Sequence, residues 1–211
     1  MEDFETLLDR SVQHHGHLCP GQVIGVRMAM LGCRLIHIED PFKDIKKLIV
    51  FVEIDRCASD AIAVVTGTKL GRRSLKFVDN GIMAASFLNL ETWQAYRISA
   101  TENSRDLAKK YAPHILDVRE RQLHAYGMMP TRELFKIEEV KIDLQNLDLP
   151  GPTKRKVICE TCGETVRDGK EVISDGRSYC KPCAGDTYFL PLGTRKVMIQ
   201  QDEFATVRES P

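Results

Sequence analysis

"HHGHLCPGQVIGVRMAMLGCRL", residues 14–35, decides the fold. Proline is tolerated in the first turn of a helix and breaks one further in, so Pro20 predicts a helix start. From there Ile24, Met28, Leu31 and Leu35 recur at helical spacing, and Val23, Val26, Met30 and Cys33 form a flanking stripe. A helix apolar on so much of its circumference is buried, and the core is expected to be built around it.

Working outward, residues 3–13 predict a short helix with Phe4, Leu7, Leu8 and Val12 on one face. Residues 48–54, "LIVFVEI", are β-branched and aromatic and read as a buried strand. "CASDAIAVVTG" (57–67) reads as a second core helix closed by Gly67 in a left-handed cap. "SLKFVD" (74–79) predicts a strand, and "IMAASFLNL" (82–90) with "TWQAYRIS" (92–99) predicts a hairpin. Residues 102–124 repeat Leu107, Ala108, Tyr111, Ile115, Val118 and Leu123 at helical spacing, with Pro113 as a kink or break. "ELFKIEEVKI" (133–142) closes the domain as a strand. Helix, strand, helix, then mostly strands predicts an α+β domain with a mixed or antiparallel sheet.

The 211 residues are 43% hydrophobic and 28% charged, ordinary for a globular chain. Purely apolar runs as long as residues 48–52 are far too short to span a bilayer, and "MEDFETLLDR" lacks the basic start of a secretory signal. A cytoplasmic location is expected, with no membrane contact. Thirty basic residues balance thirty acidic ones, so no global field draws the protein to nucleic acid or anionic lipid. Seven cysteines without an export signal argue against a disulfide framework.

"LDLPGPTKRK" (147–156) interrupts regular structure and predicts a boundary: a core domain over 1–148, a linker over 149–156, and a C-terminal domain with its tail over 157–211. Beyond it, Cys159 and Cys162 are followed after seventeen residues by Cys180 and Cys183. Two CxxC turns present four thiolates to one tetrahedral ion, and zinc is the metal they suit. Four protein ligands close the shell, so this zinc is structural, and Gly163 frees the backbone to aim amides at sulfur. Residues 151–211 hold ten Lys and Arg against nine Asp and Glu, which favours a protein or dimer contact over nucleic acid. The stretch "TYFLPLGTRKVMIQ" (187–200) is read as a β-rich strand.

Cys19 sits just before the α-helix at Pro20, where unpaired amides favour negative charge by ~0.3–1 kcal/mol and a thiolate in particular. Cys57 stands at the start of the second core helix, with Asp60 one turn along. If the two helix starts converge, His17, Cys19 and Cys57 form a mixed ligand set, with His15 and Asp60 as further candidates. In an extended segment His15, His17 and Cys19 would share one side. Three protein ligands leave room for water or substrate, as in exchangeable or catalytic metal sites. Cys33 reads as apolar filler, and His14, His37, His114 and His124 receive no role.

The motifs "HHGHLCPG" (14–21), "CASDAIAVVTG" (57–67) and Asp79-Asn-Gly after a strand resemble the FmdE family, named for molybdenum formylmethanofuran dehydrogenase, over most of residues 5–100. That resemblance implies a core like the C-terminal catalytic domain of glyceraldehyde phosphate dehydrogenases, helix, strand, helix and three strands. In some members it also implies a C-terminal treble-clef zinc finger. It points to His15, His17, Cys19, Cys57 and Asp60 as the polar centre, with a second transition metal, zinc by expectation. It further implies a homodimer and association with a molybdenum or tungsten oxidoreductase. Two positions depart from the family pattern: Thr68 stands where a cysteine is common and Ile82 where a lysine is, which predicts a smaller, mononuclear site. The leading expectation is a metal-binding accessory protein. A metal or thiolate enzyme of one-carbon or redox metabolism competes with it, as does a zinc-finger regulator binding protein or nucleic acid.

Overall fold

A computed structural model describes residues 1–192 in two compact units, Met1–Pro152 and Thr153 onward. The first unit opens with α1 (Phe4–His15), whose N-cap Asp3 accepts the Thr6 amide at 2.8 Å. It runs two residues beyond the predicted end and stops at Gly16, in the left-handed region with φ 93°. α2 (Pro20–Leu35) follows, with Cys19 as N-cap and Pro20 in the first turn. Val26, Met28, Ala29 and Cys33 are fully buried there, so α2 is the central helix its two stripes predict.

β1 (Leu48–Val52) leads into α3 (Cys57–Thr66), capped by Gly67 at φ 66°, and then into β2 (Leu75–Phe77), which pairs parallel with β1. β3 (Ala84–Asn89) and β4 (Ala95–Ala100) form the expected hairpin. The helical stretch after it is two helices, α4 (Asn103–Tyr111) and α5 (Val118–Met128). Pro113 breaks rather than kinks the chain, and Asp117 restarts the helix by accepting the Glu120 amide at 2.8 Å. The final predicted strand begins with one turn of helix, α6 (Thr131–Leu134), and pairs only over β5 (Phe135–Glu139).

The sheet order is β2-β1-β3-β4-β5, antiparallel except for β1–β2. This is the mixed α+β architecture that the element order predicts. Side chains alternate across a strand, so Leu48, Val50, Val52, Phe87 and Ile98 face the helices in the main core. On the other face Ile49, Leu88 and Ala95 are covered by Ile142 and Leu144 from the segment after β5. That segment is tied to β2 and the loop before it by Lys76 Nζ donating to the Asp148 carbonyl at 2.7 Å and by Arg73 donating to the Leu147 carbonyl. Glu53, just past β1, is buried against Arg97, with N···O contacts of 2.6 and 2.9 Å. Arg97 holds its carboxyl below the ordinary glutamate range.

Two glycines bring α2 and α3 together. A Cβ on Gly25 would lie 2.5 Å from the Ala58 carbonyl, and one on Gly21 would lie 2.9 Å from Cys57 Cβ. Only glycine permits that approach.

In the second unit β6 (Lys156–Ile158) pairs with β7 (Thr165–Arg167), and β8 (Val172–Ser174) with β9 (Arg177–Tyr179). Of the predicted tail strand, residues 187–192 are irregular, with Tyr188, Leu190 and Leu192 almost fully exposed. Residues 193–200 lie outside the described residues. No described helix is long and apolar enough to cross a membrane.

Candidate metal centres

The second unit gathers its four cysteines. The Sγ atoms of Cys159, Cys162, Cys180 and Cys183 lie within 4.8 Å of one another, and Cys162 to Cys180 is 3.7 Å. A tetrahedron with Zn–S bonds of ~2.3 Å has edges of about 3.8 Å, which the Cys162–Cys180 separation matches. Gly163, at φ 74°, turns the first knuckle back on itself, and its amide donates to the Cys159 carbonyl at 3.0 Å. Amides of Cys162 and Cys180 aimed at Cys159 pull its thiol down to about 6, whereas contact with the Cys180 and Cys162 sulfurs pushes Cys183 up to about 12. Packed this closely, the four sulfurs cannot all ionise without a cation among them, which is the condition a closed zinc site meets.

The first unit brings the other candidates together from three helix ends. His15 is the last residue of α1, Cys19 the N-cap of α2 and Cys57 the first residue of α3. The three residues "HGH" are not an extended run. α1 carries His15, and the left-handed turn at Gly16 swings His17 back beside it, so that the two rings sit 4.7 Å apart. His15, His17 and Cys19 each offer a ligand atom within 4.8 Å of the others. Cys57 stands outside this three-residue group, beside Cys19: the point 3.7 Å from Cys19 Sγ that a Gly21 Cβ would occupy is the one 2.9 Å from Cys57 Cβ. Burial, and then the neighbouring Cys19 thiol, push the Cys57 thiol up.

Asp60 reaches the histidine rather than the thiols. Its Oδ2 lies 2.9 Å from His15 Nδ1, a pairing that assigns the ring proton to Nδ1 and leaves the Nε2 lone pair free. His15 Nε2 is buried and has no hydrogen-bond partner among the described residues. A buried polar atom without a partner is costly, and a carboxylate behind one imidazole nitrogen with the other free is the usual arrangement of a histidine that binds metal. A ring nitrogen of His15 lies within 4.8 Å of a donor atom on each of His17 and Cys19. Leu18, inside the same loop, is anchored by Arg119 on α5, which donates to its carbonyl at 3.0 Å.

Thr68 lies away from this cluster. Thr68 follows the far end of α3, a ten-residue helix of about 15 Å from Cys57, and is buried with its hydroxyl 2.8 Å from that of Thr66. Ile82 is half-exposed, its amide donating to the Glu53 carbonyl at 3.1 Å. Cys33 is buried in the core, where desolvation pushes its thiol up to about 12 and leaves it inert. A cleft of about 270 Å³ opens beside Pro20 and Gly21 and is lined further by Met83, Thr101, Arg105 and Tyr126.

The sequence reading missed Ser11 and Gln22. Both are polar residues at fully buried helix positions, joined to each other and to Cys57 by hydrogen bonds. The available signal was a glutamine inside the apolar run "QVIGV", since a buried amide needs partners.

Residues 14–143 match the family described as "FmdE, Molybdenum formylmethanofuran dehydrogenase operon", and residues 151–189 match the prokaryotic dksA/traR C4-type zinc finger. A protein of Archaeoglobus fulgidus described as a probable S-adenosyl-L-methionine-binding protein is 26% identical over 202 residues. The alignment takes in 86% of this chain and 53% of that protein, so the chain spans about half the length of this relative. The crystal structure of a tungsten formylmethanofuran dehydrogenase FmdE-like protein from Syntrophus aciditrophicus superposes with a TM-score of 0.58 at 19% identity. That superposition covers 90% of this chain and 96% of the other, and it shows a shared fold.

Proposed function

The chain belongs to the FmdE family, and from that membership we propose a metal-binding accessory protein with two centres of different kinds. Structural zinc is held by Cys159, Cys162, Cys180 and Cys183. A second, exchangeable transition metal, zinc by preference, is held by His15, His17 and Cys19, with Cys57 beside them and Asp60 orienting His15. The observation that carries the second centre is the buried, unpartnered Nε2 of His15, a residue grouped within 4.8 Å with two other donor side chains. The mixed nitrogen and sulfur set suits zinc, and three to four donors leave it open to an external ligand.

The closed C4 site supplies folding free energy to a segment with almost no apolar core. The knuckle at Cys159–Cys162, the β8–β9 hairpin and the turn after Cys180 are read as a truncated treble clef. A homodimer, a cytoplasmic location and a docking role toward a molybdenum or tungsten oxidoreductase belong to the same proposal, with sedimentation of the purified chain as the check on the first.

Metal analysis of the full chain tests the two-centre reading. Wild type is expected to hold one tight equivalent and a second weaker one, and Cys19→Ser with Cys57→Ser to hold the tight one alone. Unchanged stoichiometry in that variant sinks the second centre.

The cleft beside Pro20 and Gly21 supports one alternative, in which the open metal position or a thiolate acts on a bound substrate as Lewis acid or nucleophile. S-adenosyl-L-methionine, the ligand in the description of the Archaeoglobus protein, is the first compound to test there by equilibrium dialysis. Rapid selective alkylation of Cys19 or Cys57 at neutral pH would favour this alternative.

A further inference from the structure

Gln22 is the third residue of α2, fully buried among core neighbours Val23, Ile24 and Val26. Its amide is used at both ends. The Ser11 hydroxyl donates to Oε1, and Nε2 donates to the Cys57 carbonyl at 2.6 Å. Ser11 lies one helical turn before His15 on the same face of α1. Gln22 lies three residues after Cys19, and Cys57 is the first residue of α3. One side chain therefore joins the three helix ends that carry His15, Cys19 and Cys57.

We propose that Gln22 is a positioning residue of the core metal centre, setting the spacing of His15, Cys19 and Cys57, with Ser11 fixing the direction of its amide. The proposal rests on the metal reading of that centre. Burial alone does not require an amide here, because Gly21 and Gly25 already let α2 and α3 close on each other, and a methionine of similar volume would fill the space without desolvating polar atoms. Apolar contact is non-directional and leaves α1 and α3 free to adjust about α2. Hydrogen bonds fix angle as well as distance. Ser11 occupies Oε1 and so turns Nε2 toward Cys57, which settles the orientation of the amide as well as its place.

The test uses the full chain with its C4 site loaded with zinc and its core site emptied by mild chelation, titrated with cobalt(II). Gln22→Met keeps volume and removes both hydrogen bonds. Loss of an outer-shell partner typically costs ~10–100-fold in metal affinity, and that is the weakening expected for the core equivalent. The sulfur-to-cobalt charge-transfer band should alter while the C4 zinc stays bound. Ser11→Ala should weaken binding less, and the double variant no more than Gln22→Met, because both act through one latch. An unchanged affinity and spectrum in folded Gln22→Met overturns the assignment of Gln22 and leaves the metal reading intact. A wild-type chain that takes up no core metal instead refutes the metal reading. The latch is then read with a phenyl arsenoxide, which forms two As–S bonds to a thiol pair and releases its oxygen with the two thiol protons as water. Bridging of Cys19 to Cys57 in wild type and its loss in Gln22→Met supports the latch; equal bridging in both overturns it. Should Gln22→Met fail to fold, Ser11→Ala decides by the same measurements.

Discussion

Replacing Gly25 by alanine tests the close approach on which the core centre depends. The added Cβ meets the Ala58 carbonyl at 2.5 Å, the Ala61 Cβ at 2.7 Å and the Ala58 Cα at 2.8 Å. Ordinary contact needs ~3.5 Å, so α2 and α3 must separate by about 1 Å. Two of the three atoms are backbone, and no rotamer change relieves them. Overpacking of this kind costs ~1–3 kcal/mol, whereas alanine gains roughly 0.5–1 kcal/mol over glycine in a helix interior. The net is a loss of up to about 2.5 kcal/mol. For a unit of this size each kcal/mol moves the melting temperature by ~2–4 °C, so the transition of the first unit should fall by several degrees. The control is Gly127, a helical glycine in α5 whose Cβ would meet nothing within 4 Å. Gly127→Ala should raise stability by up to ~1 kcal/mol. Calorimetry on the two variants is expected to give opposite signs. A Gly25→Ala protein as stable as wild type would refute the close-packing argument, and with it the reason Cys57 stands beside Cys19.

Removing Arg97 leaves the buried Glu53 carboxylate with the Asn80 amide and no cation, so Arg97→Met should cost about 2–3 kcal/mol, the scale of a buried charged group that loses its charged hydrogen-bond partner. Because Glu53 titrates below its unfolded value, its contribution is present above the ordinary glutamate range and is lost as pH falls through its depressed value. The stability gap between wild type and Glu53→Gln should therefore close in acid, and a gap constant down to acid pH would contradict the pairing. Gly16→Ala forces a side chain into the left-handed region at φ 93° and should cost ~1–2 kcal/mol, while pulling His17 away from His15; an unaltered second metal equivalent would show that the turn does not assemble the centre. Chelation of the tight metal, or Cys180→Ser, should make residues 153–192 protease-sensitive while the first unit keeps its melting transition. Cys33 should resist alkylation until the first unit unfolds, and labelling of the native chain at Cys33 would contradict its burial.

Much of this molecule is written in local pattern. The four-cysteine site was legible because its ligands come in two CxxC turns whose spacing is a property of a few neighbouring residues. The centrality of α2 was legible in the same way, since a doubly striped helix has no face to give to water. The order of the strands was not, because a strand's alternation says which face is buried and nothing about its neighbour. The break at Pro113, which separates α4 from α5, depended on Asp117 finding an amide to cap.

The residues of the core centre could be listed from sequence, but their roles could not. Sequence ranks His17 above His15 as a ligand and carries no sign of the carboxylate, 45 positions from His15, that lies beside it. Asp60 is one of the lesser candidate donors in the sequence, and only the fold shows it turned toward the imidazole. Ser11 and Gln22 carried no motif at all. Sequence by itself determined which donors exist, which helix is central and where the zinc thiolates fall, because these follow from periodicity and short-range geometry. The tertiary structure decided which buried polar atom faces which, because a hydrogen bond between helix ends depends on how closely α1, α2 and α3 pack. That closeness is set by the absence of two side chains, at Gly21 and Gly25.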